Sequence, residues 1–395
     1  MKHCTLPRNR KSIRESSSTF IKLVNMIDTK QIQDKIDKLG IDEHIRKLDV
    51  LTLIRLFFYA QLFNIPSLKQ LSEHVESKPH LSKCLGFNSI SVAHLSRKIA
   101  DLDCQILLDI FNICTAKLVS LFKREGKKVT NIIDASVISL CLSQYNWAKY
   151  KETKSGIKIH TRLILVDKAC CIEKVNLTYA NQADNKQMDS LILLDPGALH
   201  VFDRGYIDHE KFDTYCENGI RFVTRLKRNI VVRVIREIKR PEQEGDPITR
   251  EAIVMLGSQK KKMKHPLRLI ELKDTKGNSI TVITNDFEIT AEEVSVIYRN
   301  RWKIETFFRW IKQNLAITNL YGTTQNAVYN QVMISLILFN LLVLLHPKAE
   351  MEYTLGVLLR KIRLFWDQSF DVLRSAYNRE IRKSLKEKGR ELELT

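Results

Sequence analysis

The chain has 395 residues, 44% of them hydrophobic, so it can bury a large core and is predicted to divide into two or three domains. Its formal net charge of +19 predicts a polyanionic partner, with nucleic acid favoured and an anionic membrane surface as the alternative. No stretch is expected to reach the roughly 18 apolar residues of a membrane span, so Val332–Leu345 (VMISLILFNLLVLL) is interpreted as a buried core helix.

Residues 1–20 are basic and rich in serine, without hydrophobic periodicity. A disordered arm is favoured over an arm that touches phosphates, and the missing apolar segment argues against a secretory signal. The eight cysteines form no CxxC pair and no zinc-finger spacing. They are predicted to be reduced thiols of a cytoplasmic protein.

From residue 20 to about 121 apolar residues recur at intervals of three and four, which predicts an all-helical N-terminal region. Ser67 and Ser91 occupy positions typical of N-caps. The segments SLKQLSEHV and SVAHLSRKI, joined by a loop through Pro79 and Gly86, could form a helix-turn-helix-like DNA reader. Ordinary packing of helix pairs explains the same pattern.

After Gly126 the pattern changes to strands and helices in alternation. Strands are predicted at 131–138, 156–166, 171–179, 199–202 and 221–226, with helices at 184–194 and 208–218. Three strands followed by helix, strand, helix and strand is the order of a ribonuclease-H-like fold, a mixed α/β sheet with helices packed on it.

Residues 228–286 alternate apolar and polar side chains and predict a β-rich insertion. Its basic loop, residues 259–264, could grip phosphates, although such hairpin tips are commonly just solvated. The predicted organisation is a helical DNA-binding region at 1–125, an α/β catalytic domain at 126–345 that contains the insertion, and a basic helical region at 346–395.

The stretch 290–315 (TAEEVSVIYRNRWKIETFFRWIKQNL) contains no Gly or Pro, and its Thr and Glu three residues apart form a capping box, which predicts one helix of about seven turns. At 100° per residue Tyr298, Arg301, Glu305 and Lys312 share one polar stripe. This stripe could be the wall of a functional site. Alternatively it is a solvated face in which Glu305 pairs with an arginine one turn away.

Two acids lie in or directly after apolar strands, Asp134 in IIDAS and Asp203 in VFDRGY. A buried carboxylate is costly unless it is paired or binds a metal, so these acids and Glu305 form a candidate metal-binding trio. Oxygen ligands favour Mg²⁺ or Mn²⁺, and two such ions would suit phosphodiester cleavage. Each Asp could instead be a strand-end or turn acid.

Tyr298, Arg301, Glu305 and Lys312, in the wording YRNRWKIETFFRWIK, resemble the Y-(2)-R-(3)-E-(6)-K signature of DDE transposases of the insertion-sequence-4 family. Asp134 and Asp203 match the first two acids of that family. The resemblance extends from about residue 20 to 345.

The resemblance implies a ribonuclease-H-like core that performs metal-dependent cut-and-paste transposition of an insertion sequence. Asp134, Asp203 and Glu305 would hold two Mg²⁺ ions, with Mn²⁺ as a substitute. Tyr298, Arg301 and Lys312 would position DNA phosphates, Arg as a bidentate fork and Lys as a point charge.

The implied partners are double-stranded DNA, both terminal inverted repeats and target DNA, and a second copy of the chain, with no membrane partner. In this family a flipped base often stacks on an aromatic residue of the insertion, and Phe287 is a candidate for that position. The alternatives are a domesticated ribonuclease-H-like nuclease that cuts without joining, and a non-catalytic DNA-binding protein. The intact trio of acids argues against the last.

Overall fold

The structure, a computed structural model, describes residues 18–45, 47–124, 128–167, 169–240, 246–258, 262–273, 277–346 and 354–393. The predicted arm at 1–20 therefore lies outside the described residues except for its last three. Residues 259–261 of the predicted phosphate-gripping loop also lie outside them.

The N-terminal region is helical, as the sequence predicts. Its helices are α1 (Thr19–Val24), α2 (Thr29–Lys38), α3 (Val50–Leu62), α4 (Leu68–Ser77), α5 (Pro79–Leu85), α6 (Val92–Asp101) and α7 (Cys104–Arg124). The hydroxyls of Ser67 and Ser91 accept hydrogen bonds from backbone N–H groups in the first turns of α4 and α6, which confirms both N-caps. The loop predicted between these helices is wrong, because helix α5 occupies it with Pro79 in its first turn and left-handed Gly86 at its end.

The strands of the described residues form one mixed, ten-stranded sheet. They are β1 (Thr130–Leu140), β2 (Lys149–Lys151), β3 (Lys154–Val166), β4 (Ala169–Tyr179), β5 (Leu199–Phe202), β6 (Arg221–Arg225), β7 (Val232–Glu237), β8 (Ile248–Leu256), β9 (Leu267–Lys273) and β10 (Ser279–Thr284). The order across the sheet is β2-β3-β1-β5-β6-β10-β9-β8-β7, and β4 pairs with β3. The predicted β-rich insertion is present, and its strands extend the central sheet because β10 pairs antiparallel with β6.

The sheet combines two pairing modes. Strands β1, β5 and β6 run parallel to one another. Strand β3 pairs antiparallel with β1, and β4 pairs antiparallel with the other edge of β3. A mixed α/β fold with a mostly helical N-terminal region is therefore confirmed, whereas its ribonuclease-H likeness stays a prediction.

The helix predicted at 184–194 is mostly wrong. A 3-10 turn at Asp184–Gln187 leads into the single helical turn α8 (Met188–Leu191). Backbone groups that would form hydrogen bonds within a longer helix bond to side chains instead. Arg162 donates to the carbonyl of Leu191 (2.6 Å), and the N–H of Leu193 donates to Nε2 of His200 (3.0 Å). The next helix, α9 (His209–Glu217), begins at the predicted position.

Five more helices follow the sheet in the described part of the chain. They are α10 (Ala291–Asn300), α11 (Trp302–Asn314), α12 (Gln325–Leu345), α13 (Thr354–Phe365) and α14 (Phe370–Glu393). One continuous hydrophobic cluster contains side chains from the N-terminal helices, from strands β1, β3 and β4, from α11 and α12, and from α13 and α14. The three predicted domains therefore share a core, and their boundaries stay a prediction.

Two helices, Cys104–Phe122 and Gln325–Leu345, are long and apolar enough to cross a membrane by length and composition alone, so the expectation that no stretch is long enough is wrong. In the second helix 83% of the apolar window is buried inside the protein. The interpretation of Val332–Leu345 as part of a core helix agrees with that burial.

Candidate active site

Two carboxylates extend from neighbouring parallel strands at the same edge of the sheet. Strands β1 and β5 pair in parallel register up to Ile133 and Phe202. Asp134 is the next residue of β1, and Asp203 directly follows the end of β5, so continuing the register by one residue places them side by side. Aligned residues of parallel strands point to the same face, and adjacent strands lie about 4.8 Å apart. The two sequence-predicted acids therefore meet.

Asp134 is a desolvated carboxylate, with 21% of its side chain exposed. Burial raises its pKa to about 6, although a hydrogen bond from the N–H of Ala135 and the charge of Arg301 act in the opposite direction. The negative charges of Asp203 and Glu305 contribute to the increase. Asp203 and Glu305 thus both lie within electrostatic reach of Asp134.

The helix predicted at 290–315 is confirmed at its start and wrong in its continuity. The capping box of Thr290 and Glu293 is present. The helix is interrupted at Arg301, which separates α10 from α11. Here the N–H of Arg301 bonds to the carbonyl of Tyr298 (3.1 Å), and the N–H of Ile304 bonds to the carbonyl of Arg301 (3.1 Å). This three-residue spacing tightens the turn and marks a local break in the α-helix.

Arg301 supplies the positive charge between the acids. Its Nη1 lies 3.5 Å from Oδ2 of Asp134, and its Nη2 lies 2.8 Å from Oε1 of Glu305. Burial alone would lower the pKa of this guanidinium, but Tyr298, Asp134 and Glu305 hold it above the ordinary value. The alternative prediction for Glu305, an ion pair with an arginine one turn away, is therefore correct as well. This ion pair lies among Asp134, Asp203 and Glu305, which together are called the acid site.

Tyr298 packs directly beneath this group. Its side chain is buried, and its ring centroid lies 5.8 Å from the guanidinium carbon of Arg301. Burial raises the pKa of its phenol, with a further contribution from the charge of Asp203. Tyr298 therefore borders both Arg301 and the Asp203 side of the site.

Lys312 reaches the same face of β1 from the far end of α11. Its Nζ donates to Oγ of Ser136 (2.7 Å) and to the carbonyl of Val137 (3.0 Å). Burial lowers the pKa of this ammonium. Ser136 was not predicted as a site residue, although it follows Asp134 by two positions and side chains of a strand alternate faces. The period-2 pattern could have identified it.

The β-rich insertion fixes the beginning of α10 through buried charges. Glu251 of β8 accepts from Nη1 of Arg240 (3.0 Å) and from Nε of Arg268 (2.7 Å). These two arginines then contact the start of the helix, Arg240 at the carboxylate of Glu292 and Arg268 at the carbonyl of Ile289. Sequence patterns contain no signal for this network because its members are far apart along the chain.

The acid site fits a divalent cation by donor type, since it contains carboxylates and a desolvated negative charge. Among the described residues, no three His, Cys, Asp or Glu side chains lie close enough together to hold a metal ion. Arg301 lies between Asp134 and Glu305 and contacts both. Its guanidinium balances charge where a metal ion would.

The exposed aromatic residue near the acids is Trp302. Its side chain is 58% exposed, and its ring centroid lies 5.9 Å from the guanidinium carbon of Arg301. Phe287 is also exposed, at 48%, but it lines a hollow with Gly197 and Arg221 at the amino ends of β5 and β6. Asp203 lies at the other end of β5, so Phe287 is placed away from the acids.

Comparison with known proteins identifies the family. Residues 125–341, more than half of the chain, match the family model described as the transposase DDE domain. The chain belongs to the DDE transposase family. The matched segment contains Asp134, Asp203 and Glu305 of this DDE transposase, and such domains generally use divalent metal ions. Residues 15–88 match a second model, a domain of unknown function designated DUF4372.

Three curated relatives are also similar to this DDE transposase. A protein of Sinorhizobium fredii named as a transposase, y4zB, is 32% identical over 60% of this chain and 66% of its own length. A protein of Geobacillus stearothermophilus named for insertion sequence element IS5377 is 24% identical, over 83% of this chain and 84% of its own length. One of Synechocystis named for IS4SA is 25% identical over 46% of this chain and 52% of its own length.

Proposed function

We propose that this DDE transposase catalyses cut-and-paste transposition of an insertion sequence. It would bind the terminal inverted repeats, hydrolyse the phosphodiester at the element ends and transfer the 3′-hydroxyl to target DNA. The proposal includes membership of the insertion-sequence-4 family with its Y-R-E-K signature, and a ribonuclease-H-like catalytic core. The observation that carries it is the meeting of Asp134 and Asp203 at one sheet edge, opposite the helix that bears Glu305.

In this proposal Asp134, Asp203 and Glu305 would hold two divalent ions, Mg²⁺ or Mn²⁺. The donor set supports this role, because carboxylate oxygens suit hard cations. Bound metal would supply Lewis-acid stabilisation of phosphate charge and a hydroxide or alkoxide nucleophile near neutral pH. The desolvated Asp134 supports the assignment, because burial raises its pKa to about 6 and a bound cation would offset that cost.

Arg301, Tyr298 and Lys312 would position the phosphates of the transposon end. Arg301 offers a planar fork that can pair with two phosphate oxygens, and Nζ of Lys312 retains a third proton beyond its bonds to Ser136 and Val137. The phenol of Tyr298 would orient Arg301 from below. Together these three side chains would hold the substrate phosphates in a fixed orientation.

The acting form would be a homodimer on DNA, in which the site of one copy cuts the end bound by its partner. The working compartment would be the cytoplasm, at the nucleoid. The formal charge of +19 supports association with duplex DNA, since each neutralised phosphate releases counterions.

The test uses the purified chain, a linear fragment that carries the terminal inverted repeats found beside the gene, a supercoiled target plasmid and Mg²⁺. We expect cleaved ends and integration products. Cleavage without joining would indicate the nuclease alternative, and binding without cleavage the non-catalytic alternative.

Glu305→Ala is the decisive variant. It should abolish cleavage and joining, because Glu305 would hold a divalent ion in this proposal. Binding to end DNA should stay within about threefold of wild type, because a carboxylate does not attract DNA phosphates. Glu152→Ala, an exposed acid in the β2–β3 turn, is the matched control and should leave cleavage unchanged. Full cleavage by Glu305→Ala would remove Glu305 from the metal site.

A further inference from the structure

Helix α14 presents a long basic stripe on its exposed side. Ser375, Asn378, Arg379, Arg382, Lys383 and Lys386 line one open groove along this helix, and all six residues are exposed. At 100° per residue they fall within an arc of about 140°. The opposite side carries Leu373 and Tyr377, which are buried in the main hydrophobic cluster. The stripe therefore faces away from the protein.

Few acids offset the charge of this stripe. Glu380 lies on the inner side of α14, where its carboxylate pairs with Arg360 (3.1 Å) and Lys361 (2.6 Å) of α13. Glu387 lies at the edge of the arc, and its carboxylate lies 3.9 Å from Nζ of Lys383. Between exposed groups such a long ion pair is worth little.

Asp371, in the first turn, continues the line of the stripe but pairs with Arg374 (3.0 Å), which lies outside the groove. Four cations from Arg379 to Lys386 therefore form a field of one sign. A solvated face of a helix more commonly mixes the two signs at intervals of four.

We propose that the stripe on α14 is a second DNA-binding surface, separate from the acid site, that holds the phosphate backbone of duplex DNA without reading its sequence. This inference rests on the proposed function. The stripe from Ser375 to Lys386 is about 16 Å long. A duplex of that length carries about ten phosphates, so four cations can each meet one. Asn378 and Ser375 add neutral donors of the kind that often contact phosphate oxygens.

The other polyanion that suits such a helix is an anionic membrane surface, and the packing of α14 disfavours it. A membrane-surface helix needs a free apolar face to insert between lipid headgroups. In α14 Leu373 and Tyr377 of that face are buried in the main hydrophobic cluster, and Val372 is the exposed large apolar residue among the side chains of this helix that the structure describes. The helix thus has free charge but little free apolar area.

The test compares the full chain with the variant Arg379→Gln/Arg382→Gln/Lys383→Gln/Lys386→Gln. Binding of a duplex of unrelated sequence is measured from about 0.05 to 0.3 M NaCl. We expect the slope of log K against log salt to fall by about two to four, at about 0.9 for each phosphate that the variant no longer neutralises, and affinity near 0.1 M NaCl to fall at least tenfold. Arg374→Gln, on the same helix outside the groove, is the matched control and should change the slope by less than about one half.

Lysine labelling provides a readout that does not depend on the variant folding. In the wild type, duplex DNA should slow acylation of Lys383 and Lys386 at least threefold, while Lys151, at the end of β2, is unaffected. An unchanged salt slope in the folded quadruple variant, or equal labelling with and without DNA, would overturn the proposal.

Binding to vesicles with about 30% phosphatidylserine is measured in parallel. If the quadruple variant loses vesicle binding but keeps DNA binding, the surface binds membranes and the DNA assignment is wrong. A wild-type chain that binds no duplex at any salt concentration would overturn the proposed function as well. Normal DNA cleavage by the wild type, together with an unchanged salt slope in the quadruple variant, would overturn the assignment of the stripe and leave the proposed function intact.

Discussion

Nη2 of Arg301 lies 2.8 Å from Oε1 of Glu305, one turn further along α11, and Nη1 of the same guanidinium lies 3.5 Å from Oδ2 of Asp134. A single cation is therefore shared by two carboxylates that would otherwise repel each other at short range. The guanidinium neutralises the charge that a bound metal ion would neutralise. Metal binding and the Arg301 ion pairs should consequently compete.

The first prediction tests this competition with Arg301→Met. Removing the guanidinium leaves the acids without their counter-ion, so the metal-free variant should be less stable than wild type by about 3 kcal/mol. Its affinity for Mg²⁺ should rise about tenfold, because the metal no longer displaces charge-assisted hydrogen bonds. Thermal melting at increasing Mg²⁺ measures both effects. Arg299→Met, an exposed arginine of α10, is the control, and an equal Mg²⁺ response in wild type and Arg301→Met would contradict the prediction.

The second prediction concerns Lys312. Lys312→Ala should weaken binding to end DNA and lower the salt slope by about 0.9, the contribution of one phosphate. It should also cost about 1 kcal/mol of stability, because the hydrogen bonds to Ser136 and Val137 are removed. Salt-dependent binding and chemical denaturation measure the two effects. Lys151→Ala, an exposed lysine at the end of β2, is the control. A salt slope equal to that of wild type would show that Lys312 serves only to join α11 to β1.

The sequence predicted the elements of the fold better than their junctions. Strand β5 was predicted at its observed limits because its four residues, three of them apolar, are all buried and a turn follows them. The helix at 184–194 failed because Arg162 and His200, distant along the chain, bind backbone groups of its last residues. Local periodicity contains no information about such long-range partners.

In the candidate site, too, local patterns predict the elements but not the contacts between distant residues. Alternation along β1 and the position of Asp203 directly after β5 bring the acids together, which sequence spacing could predict. The break at Arg301 could not be predicted, because no Gly or Pro marks it. Arg301 adopts the tightened turn where its guanidinium reaches Asp134 of β1, which is a tertiary interaction.

The third prediction concerns Trp302, which is exposed beside the guanidinium of Arg301. A large aromatic ring at the mouth of a DNA-binding site offers a surface on which an unstacked base can rest, worth about 1–3 kcal/mol. Trp302→Ala should therefore weaken binding to ends with unpaired terminal bases at least fivefold, and binding to fully paired ends less. Trp302→Phe should restore most of the difference. Phe287→Ala is the control, and an equal loss on both substrates would argue against stacking.

The fourth prediction concerns acid stability. His200 is fully buried, and burial lowers its pKa to about 4, below the ordinary value of 6.5. The unfolded chain therefore binds a proton more readily than the folded chain between these values. The stabilisation is complete above pH 6.5 and is lost as pH falls towards 4, by about 2 kcal/mol between pH 7 and pH 5.

His200→Gln should remove this pH-dependent component, since its amide oxygen can still accept from the N–H of Leu193. Urea denaturation at pH 7 and pH 5 measures the difference between variant and wild type. An unaltered loss of stability in His200→Gln would assign the acid sensitivity to other groups.

The last prediction explains a polar residue in the apolar helix α12. Asn340 is fully buried, and its side chain pairs with both backbone groups of Ile172 on β4, accepting from the N–H (3.0 Å) and donating to the carbonyl (2.8 Å). Strand β4 pairs with β3 on one side, so the amide of Asn340 completes the hydrogen bonding of its other edge. Asn340→Leu would leave a buried N–H and a buried carbonyl with one partner fewer each.

The carbonyl of Ile172 would still accept from the hydroxyl of Thr115 (3.2 Å), so its N–H is the group left unsatisfied. Such a group costs about 1–3 kcal/mol, so Asn340→Leu should lower the free energy of unfolding by about 2 kcal/mol despite its greater hydrophobicity. Chemical denaturation measures the loss. Ser335→Ala, equally buried in α12, is the matched control, because its hydroxyl donates only to Gln331 of the same helix and should cost less than about 1 kcal/mol. If α12 served as a membrane span and not as the core helix against β4, Asn340→Leu would stabilise the protein.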